Sequence, residues 1–391
     1  MFENIIGQQR VVEEIEKAVT GKALPGSLLF SGDHYSGKIS TALELSRILT
    51  CSGDKSWNCA CRSCENQRLL LHPYIQILGS SFFMEDINAC ADIIKAKQPV
   101  YARYMFIRAV RKLLKRFDPV LWEGNEPKFK QVAANAVKAE ELLREIKIDG
   151  DLEPTVKLAK LVDRIVNECG KIADSYNSDN IPIDQIRRIH SWARTSSESC
   201  KIVIFENADL MGDSSRNSLL KILEEPPENC YFILTTSRKG AIIPTILSRV
   251  RVYNFKSRTD TEADEVIRKI FREDRTGYRS IREYFLGRKS DIIALKQLAS
   301  DFTDSVVEME TGKNLGIIGN FKDVFSQKRL FTLFVEECVA IMRVRLKEGR
   351  LDAHRAMELN ELFRKAMLRR EQYNQSSQLV LESLFYSAAG K

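Results

Sequence analysis

A short apolar run that stops at a glycine, followed by a second glycine, a lysine and then a helical pattern, leaves a chain few ways to fold. Here Ser27-Leu28-Leu29-Phe30 reads as a buried strand ending at Ser31-Gly32, and Ala42, Leu43, Leu45, Ile48 and Leu49 resume at helical spacing after Lys38. Between them, Gly32-Asp33-His34-Tyr35-Ser36-Gly37-Lys38 fits the first seven positions of the phosphate-loop pattern G-x-x-x-x-G-K. Glycines such as Gly32 and Gly37 let backbone N–H groups curl around phosphate oxygens, and Lys38 stands where a lysine meets the outer phosphates.

Strand and helix signals then alternate. Tyr74 to Leu78 (YIQIL), Lys201 to Phe205 (KIVIF) and Tyr231 to Thr236 (YFILTT) read as buried strands, and helical patterns follow from Gln9, from Ile183 and through Leu219 to Leu223. This order predicts an α/β fold with a parallel sheet and helices on both faces. The stretch from about 79 to 180 is helical in character, notably over 101–117 and 130–148, with a polar, loop-like stretch at 174–180, and from Lys256 onward no strand is expected.

The phosphate loop departs from a hydrolytic site at its eighth position. A Ser or Thr hydroxyl is needed there to hold Mg²⁺, and the chain has Ile39; Ser40 lies about 100° further round the helix and does not substitute. The strand KIVIF should end in Asp for the metal-bound water and then Glu for the attacking water, but Glu206 and Asn207 occupy those places. Asn207 cannot serve as a carboxylate base. Phosphoryl transfer needs metal, ligands and a positioned nucleophile together, so the residues predict a site that does not hydrolyse ATP. Whether Gly32 to Lys38 still holds a nucleotide or is only a strand-to-helix turn stays open.

Four of the nine cysteines, Cys51, Cys59, Cys61 and Cys64, fall in the spacing C-x7-C-x-C-x2-C. Without a secretory signal at the N-terminus, and with no uncharged apolar run of about 18 residues to span a bilayer, a cytoplasmic address is expected. In that setting the cluster reads as a closed four-thiolate structural zinc site rather than as disulfides. Six basic residues crowd 103–116: Arg103, Arg108, Arg111, Lys112, Lys115 and Arg116. Two readings apply, contact with nucleic-acid phosphates or a solvated helix face, and the second is favoured, with Tyr101, Met105, Ile107, Val110 and Leu114 packing inward. The formal net charge of +7 is compatible with either.

Together these motifs resemble the AAA+ clamp-loader subunits of bacterial DNA polymerase III. Ile5-Ile6-Gly7-Gln8 resembles the adenine-side motif of that family, the cysteine cluster and His72-Pro73 follow the phosphate-loop helix, and Ser215 to Pro227 is similar to its most recognisable run. Leu234-Thr235-Thr236-Ser237 lies at the first sensor, and Pro244-Thr245-Ile246-Leu247-Ser248-Arg249 resembles the Ser-Arg-Cys motif with Val250 in place of Cys. Asn374 to Leu384 is similar to the end of the collar domain. Among members, a decayed ATP site beside an intact Ser-Arg motif resembles the delta-prime subunit rather than the gamma/tau motor.

The resemblance implies an AAA+ domain over 1–255, with a zinc module at about 51–64 and a helical insertion at about 79–180, a small helical lid over 256–302 and a helical collar for oligomerisation over 303–391. It implies that Ile6, Gly7, Gln8, Gly32, Gly37 and Lys38 form a degenerate nucleotide site, and that Arg249 acts as an arginine finger on a neighbouring subunit's ATP, Ser248 shaping the turn. The implied partners are gamma/tau-type and delta-type subunits, the sliding clamp and primer-template DNA, with no membrane. Two other readings are an active gamma/tau-type ATPase and a zinc-containing DNA-binding protein on an inactive AAA+ scaffold. His34 is not expected to be catalytic, and His190 and His354 read as structural.

Overall fold

The structure, a computed structural model, describes residues 1–79, 83–97, 100–122, 126–148, 155–175, 181–273, 278, 280–287, 292–307, 328–372 and 375–388. The chain divides into two compact units, Met1–Arg282 and Glu283–Lys391. The first contains, in order, α1 (Gln9–Thr20), β1 (Ser27–Ser31), α2 (Lys38–Thr50), α3 (Arg62–Arg68), β2 (Ile75–Leu78), α4 (Phe83–Lys97), α5 (Val100–Leu114), a 3-10 turn (Lys115–Phe117), α6 (Pro119–Trp122), α7 (Glu126–Arg144), α8 (Thr155–Ser175), α9 (Ile183–Arg194), β3 (Lys201–Phe205), α10 (Asp213–Glu224), β4 (Cys230–Thr236), α11 (Pro244–Leu247), β5 (Arg251–Asn254) and α12 (Asp260–Lys269).

The five strands form one parallel sheet in the order β2-β3-β4-β1-β5. A parallel sheet is covered on both faces, so its inner strands are apolar at consecutive positions. Leu28, Leu29 and Phe30 of β1 and Ile202, Val203, Ile204 and Phe205 of β3 are all fully buried. One face packs on α1 and α2 through Val11, Ile15, Ala42, Leu45 and Ile48. The four strands read from the sequence are present, and the sequence reading missed β5. Among the described residues that strand pairs only with β1, and of its residues Tyr253 is buried while Arg251 and Asn254 are exposed. An edge strand of four residues with polar alternation lacks the continuous apolar signal that marked the others.

The helical insertion is present, and its basic segment differs from both expectations. Arg103, Arg111 and Arg116 are buried, at 3%, 8% and 1% exposure. Arg103 donates to Lys147 O (2.6 Å), Arg108 to Arg68 O (2.6 Å), Arg111 to Leu69 O (3.1 Å) and Glu140, and Lys115 to His72 O (3.1 Å). These side chains neither lie on a solvated face nor stand ready for nucleic-acid phosphates. They satisfy carbonyls at the ends of elements 40 or more residues away in most cases, as buried polar groups must.

In the second unit, Ile292–Val307, Lys328–Lys347, Ala353–Gln372 and Ser377–Ala388 are helices packed on Phe302, Phe331, Phe334, Phe363 and Phe385. The helix Ile292–Val307 runs through the expected lid–collar junction at 302–303. No strand follows β5 among the described residues. Residues 176–180 of the expected loop and Asn374 of the collar-like segment lie outside the described residues.

Gly79 closes β2 at φ +99°, and a Cβ there would stand 2.1 Å from the carbonyl oxygen of Glu206. Gly79→Ala is therefore expected to destabilise the first unit by about 2–4 kcal/mol, from left-handed strain and overpacking together. Trp57, Trp122 and Trp192, the three tryptophans of the chain, all lie in that unit, so the urea midpoint followed by their fluorescence is the measurement.

Candidate functional site: a phosphate loop, a four-cysteine cluster and a surface arginine

The loop between β1 and α2 is held by contacts from far along the chain. Gln8, 3% exposed, donates from Nε2 to Ser36 O (3.1 Å) and Lys256 O (2.8 Å), and its Oε1 accepts from Lys256 N (3.1 Å). Arg258 bonds Tyr35 O and Ile6 O, and its guanidinium stands against Gly37, which adopts φ +102° as the N-cap of α2. Gly7, at φ +75°, faces the Glu262 carboxylate. Four of the six expected nucleotide-site residues are thereby tied into one arrangement: Ile6, Gly7 and Gln8 on one side, Gly37 and the loop on the other. Lys38 completes it by donating to Gly32 O (2.5 Å) and Asp33 O (2.6 Å). Burial lowers the Lys38 pKa to about 8, against the pull of Asp33, Glu206 and Asp209. Ile39 turns its side chain onto the apolar cluster behind the sheet.

Several contacts at this site were not read from the sequence. At the end of β3, Glu206 is ion-paired with Arg116 from the insertion, and Arg116 Nε also donates to Gly79 O (3.1 Å). Tyr35 in the loop donates to Glu85 of α4 (3.0 Å). Asp209, 6% exposed, accepts from Thr236 Oγ1 (2.8 Å) at the sensor strand and from Arg238 Nε (3.1 Å). Arg258 and Arg116 carried no local motif. Asp209, two positions after Asn207, was visible only as one acid in a polar stretch.

Arg249 follows α11 and lies at the surface, away from these contacts. Its Nε donates to Glu224 Oε1 (2.9 Å), and its Nη1 to Thr245 O (2.8 Å) and Ser248 Oγ (3.1 Å). Ser248 in turn donates to Thr245 O (3.0 Å), which fits a turn-shaping part. His190 Nε2 donates to Ser218 O (2.9 Å) between α9 and α10, as a structural histidine does.

The four cysteines do come together. Cys51, Cys59, Cys61 and Cys64 have sulfurs within 4.8 Å of one another. Tetrahedral Zn–S bonds of about 2.3 Å place sulfurs roughly 3.8 Å apart, and Cys51 lies 3.6 Å from Cys59 and 3.9 Å from Cys61. The one-residue gap between Cys59 and Cys61 therefore does not keep either out of the set. Arg47, buried with Glu44 on α2, donates to Cys64 Sγ (3.1 Å), a cationic donor suited to a thiolate cluster.

His72 backs this cluster. Its Nε2 meets Ser63 Oγ (3.0 Å), Ser63 donates to Thr50 O (2.8 Å), and Tyr74 N donates to His72 Nδ1 (3.3 Å). The neutral ring protonated at Nε2 satisfies all three contacts. Burial, with Lys115 second, pushes its pKa down from 6.5 to about 4. The unfolded ring takes up its proton first, so the contribution is full above pH 6.5 and is lost as pH falls toward 4. At pH 5.5 the chain should be roughly 1–1.5 kcal/mol less stable than at pH 7.5 from this group. Urea midpoints of the parent and of His72→Gln at the two pH values give that difference, and equal pH dependence in both would remove His72 as its source.

A family model described as "DNA polymerase III, delta subunit" matches residues 7–259, well over half the chain. DNA polymerase III subunit tau of Bacillus subtilis is 36% identical over 108 residues, which is 24% of this chain and 19% of that protein. DNA polymerase III subunit delta' of Haemophilus influenzae is 34% identical over 80 residues, 20% of this chain and 24% of its own length. The aligned part thus spans about a fifth to a quarter of these relatives. A gamma subunit-related protein of DNA polymerase III from Thermotoga maritima aligns over 54% of this chain and 80% of its own, with 19% identity and a TM-score of 0.33. With the match running from the glycine of the Ile6-Gly7-Gln8 motif through loop, cysteine cluster and surface arginine to the start of α12, the chain belongs to the DNA polymerase III delta-subunit family.

Proposed function

We propose that this chain is a delta-prime-like subunit of the DNA polymerase III clamp loader, one that does not itself hydrolyse ATP and that completes a neighbour's ATP site with Arg249. Membership of the family supports the assembly. The observation that carries the finger reading is the placement of Arg249: a surface guanidinium, 30% exposed, fixed by Glu224, Thr245 and Ser248 and by nothing from its own phosphate loop. A cation set this way can be offered to a second subunit's triphosphate, where it offsets charge during transfer. Against hydrolysis in this chain stand Ile39, which offers no hydroxyl and lies partly buried against the core, and Asn207, which offers no carboxylate. Gamma/tau-type and delta-type subunits, the sliding clamp and primer-template DNA are then the partners, and residues 303–391 serve as the collar. The location is cytoplasmic; no helix of the described residues is long and apolar enough to cross a membrane.

The four-cysteine cluster is a structural zinc site on this reading, holding the turn between α2 and α3. Cys64→Ser should reduce bound zinc from about one ion per chain to well below half, with a lower unfolding midpoint. Elemental analysis and tryptophan-monitored unfolding read both. Full zinc retention in the variant would take Cys64 out of the ligand set.

Reconstitution tests the finger. The full chain, or Arg249→Ala, is combined with the gamma/tau-type and delta-type subunits of the same organism, the clamp and primed DNA. The variant should assemble normally and lower DNA-stimulated ATPase by about 10²-fold or more. Unchanged ATPase retires the finger reading, and turnover by the isolated chain at the motor's rate favours the active gamma/tau-type alternative.

A further inference from the structure

The fold implies a magnesium ion beside the phosphate loop, and the residues present do not fit one. Mg²⁺ requires near-octahedral oxygen ligands and is held by one or two carboxylates, a hydroxyl and substrate phosphates. The hydroxyl position is Ile39, an apolar side chain partly buried against the core that offers no oxygen. The carboxylate at the end of β3, Glu206, is already paired with a cation supplied by the insertion.

We propose that Arg116 is the resident cation of this cleft: it balances Glu206 where a divalent metal would have to bind, so the phosphate loop meets any nucleotide without magnesium. This assigns a task to the helical insertion, and it stands independently of whether Arg249 acts on a neighbour.

Three observations carry it. Arg116 is 1% exposed and is held on all sides. Its Nη2 bonds Glu206, its Nε donates to Gly79 O (3.1 Å), its Nη1 donates to Lys112 O (2.9 Å), and its guanidinium lies 4.9 Å from the centre of the Phe83 ring. It therefore sits at the carboxyl ends of two adjacent strands, β2 and β3, the edge at which open α/β sheets take their ligands. Second, Glu206 is within electrostatic reach of two further cations, Lys38 of the loop and Lys112 of α5. A divalent ion arriving at Glu206 would meet a carboxylate already paired with Arg116, with Lys38 and the Asp86-paired Lys112 close by and no hydroxyl at position 39 to compensate. Third, the insertion grips the loop itself through Tyr35 and Glu85 (3.0 Å), and Asp86 next to it pairs with Lys112 (2.5 Å). The contact is built from two helices and the 3-10 turn, and Gly79 provides the close approach that it needs.

The test uses the full chain and the fluorescent nucleotide mant-ATP, with and without millimolar Mg²⁺. The parent should show no magnesium dependence beyond about two-fold, whether binding is measurable or absent. Arg116→Met, which keeps an unbranched side chain against Phe83, should bind at least about ten-fold more tightly with Mg²⁺ than without, because Glu206 is released to the metal. Adding Glu206→Gln to Arg116→Met should abolish that dependence. Ten-fold tightening by Mg²⁺ in the parent overturns the proposal, and so does an Arg116→Met chain that folds and ignores Mg²⁺. If Arg116→Met does not fold, the double variant Arg116→Met/Glu206→Gln decides. It buries no lone carboxylate, so its folding supports Arg116 as the partner that neutralises Glu206. Its failure to fold would make Arg116 a packing element and overturn the proposal.

Discussion

A guanidinium almost wholly removed from water keeps five N–H donors and a charge that must all be answered nearby. Arg116 answers them with Glu206, the carbonyls of Gly79 and Lys112, and the face of Phe83. Those partners belong to β3, to the end of β2, and to the two helices that open the insertion. A single desolvated cation thus ties the insertion to the sheet at the edge where the phosphate loop begins its turn. The geometry depends on Gly79, since any side chain there would strike the backbone of Glu206 and push the two strand ends apart. Removing one member of a buried pair of this kind is strongly destabilising, at a cost of about 3–5 kcal/mol. The pair is better understood as fixing how the insertion seats than as a large net source of stability.

The remainder of the insertion follows the same logic. Five of the six basic residues over 103–116 donate to main-chain carbonyls, at Lys147, Arg68, Leu69, His72, Gly79 and Lys112. The sixth, Lys112, pairs with Asp86. The carbonyls at Arg68, Leu69 and His72 lie just beyond α3, where a helix end leaves acceptors without partners in its own ladder. Cations on α5 and the 3-10 turn supply the missing donors, and in doing so connect the cysteine cluster to the insertion. His72 sits at this junction, its ring on Ser63 and its carbonyl on Lys115.

What the sequence disclosed was whatever depends on short-range pattern. The loop, the apolar strands β1, β3 and β4, and the cysteine set are each defined within about a dozen residues, and their spacing alone specifies them. The strand β5 was missed because edge position removes the need for apolar residues on both faces. The basic segment was misread because charge pattern alone does not reveal which carbonyls will face it. Gln8 was legible as part of a motif, but its task was not: its amide bonds Lys256 in both directions across 248 residues. Arg258, which reaches both Tyr35 and Ile6, gave no signal for the same reason. Long-range polar contacts have no period, and hydrophobic periodicity therefore finds the frame and passes over what closes the site.

Two arginine–glutamate pairs in this chain use the same chemistry to opposite ends, and burial separates them. Arg116 and Glu206 are 1% and 11% exposed, so water neither screens their attraction nor competes for it. Arg249 and Glu224 are 30% and 48% exposed. Solvent leaves such a pair about 0–1 kcal/mol of net stability, enough to orient a guanidinium together with Thr245 and Ser248, yet little enough to give up. On the proposed reading, a neighbour's triphosphate carries several charges against the single charge of Glu224, so the exchange runs toward phosphate once the two subunits dock. Glu224 then serves to hold the arginine in a defined pose until that partner arrives. The buried pair has no such alternative, because any competitor would first have to dislodge the insertion. On the same reading, the cation this protein keeps for itself is the one sealed at the sheet edge, and the cation it would lend is the one left within reach of water.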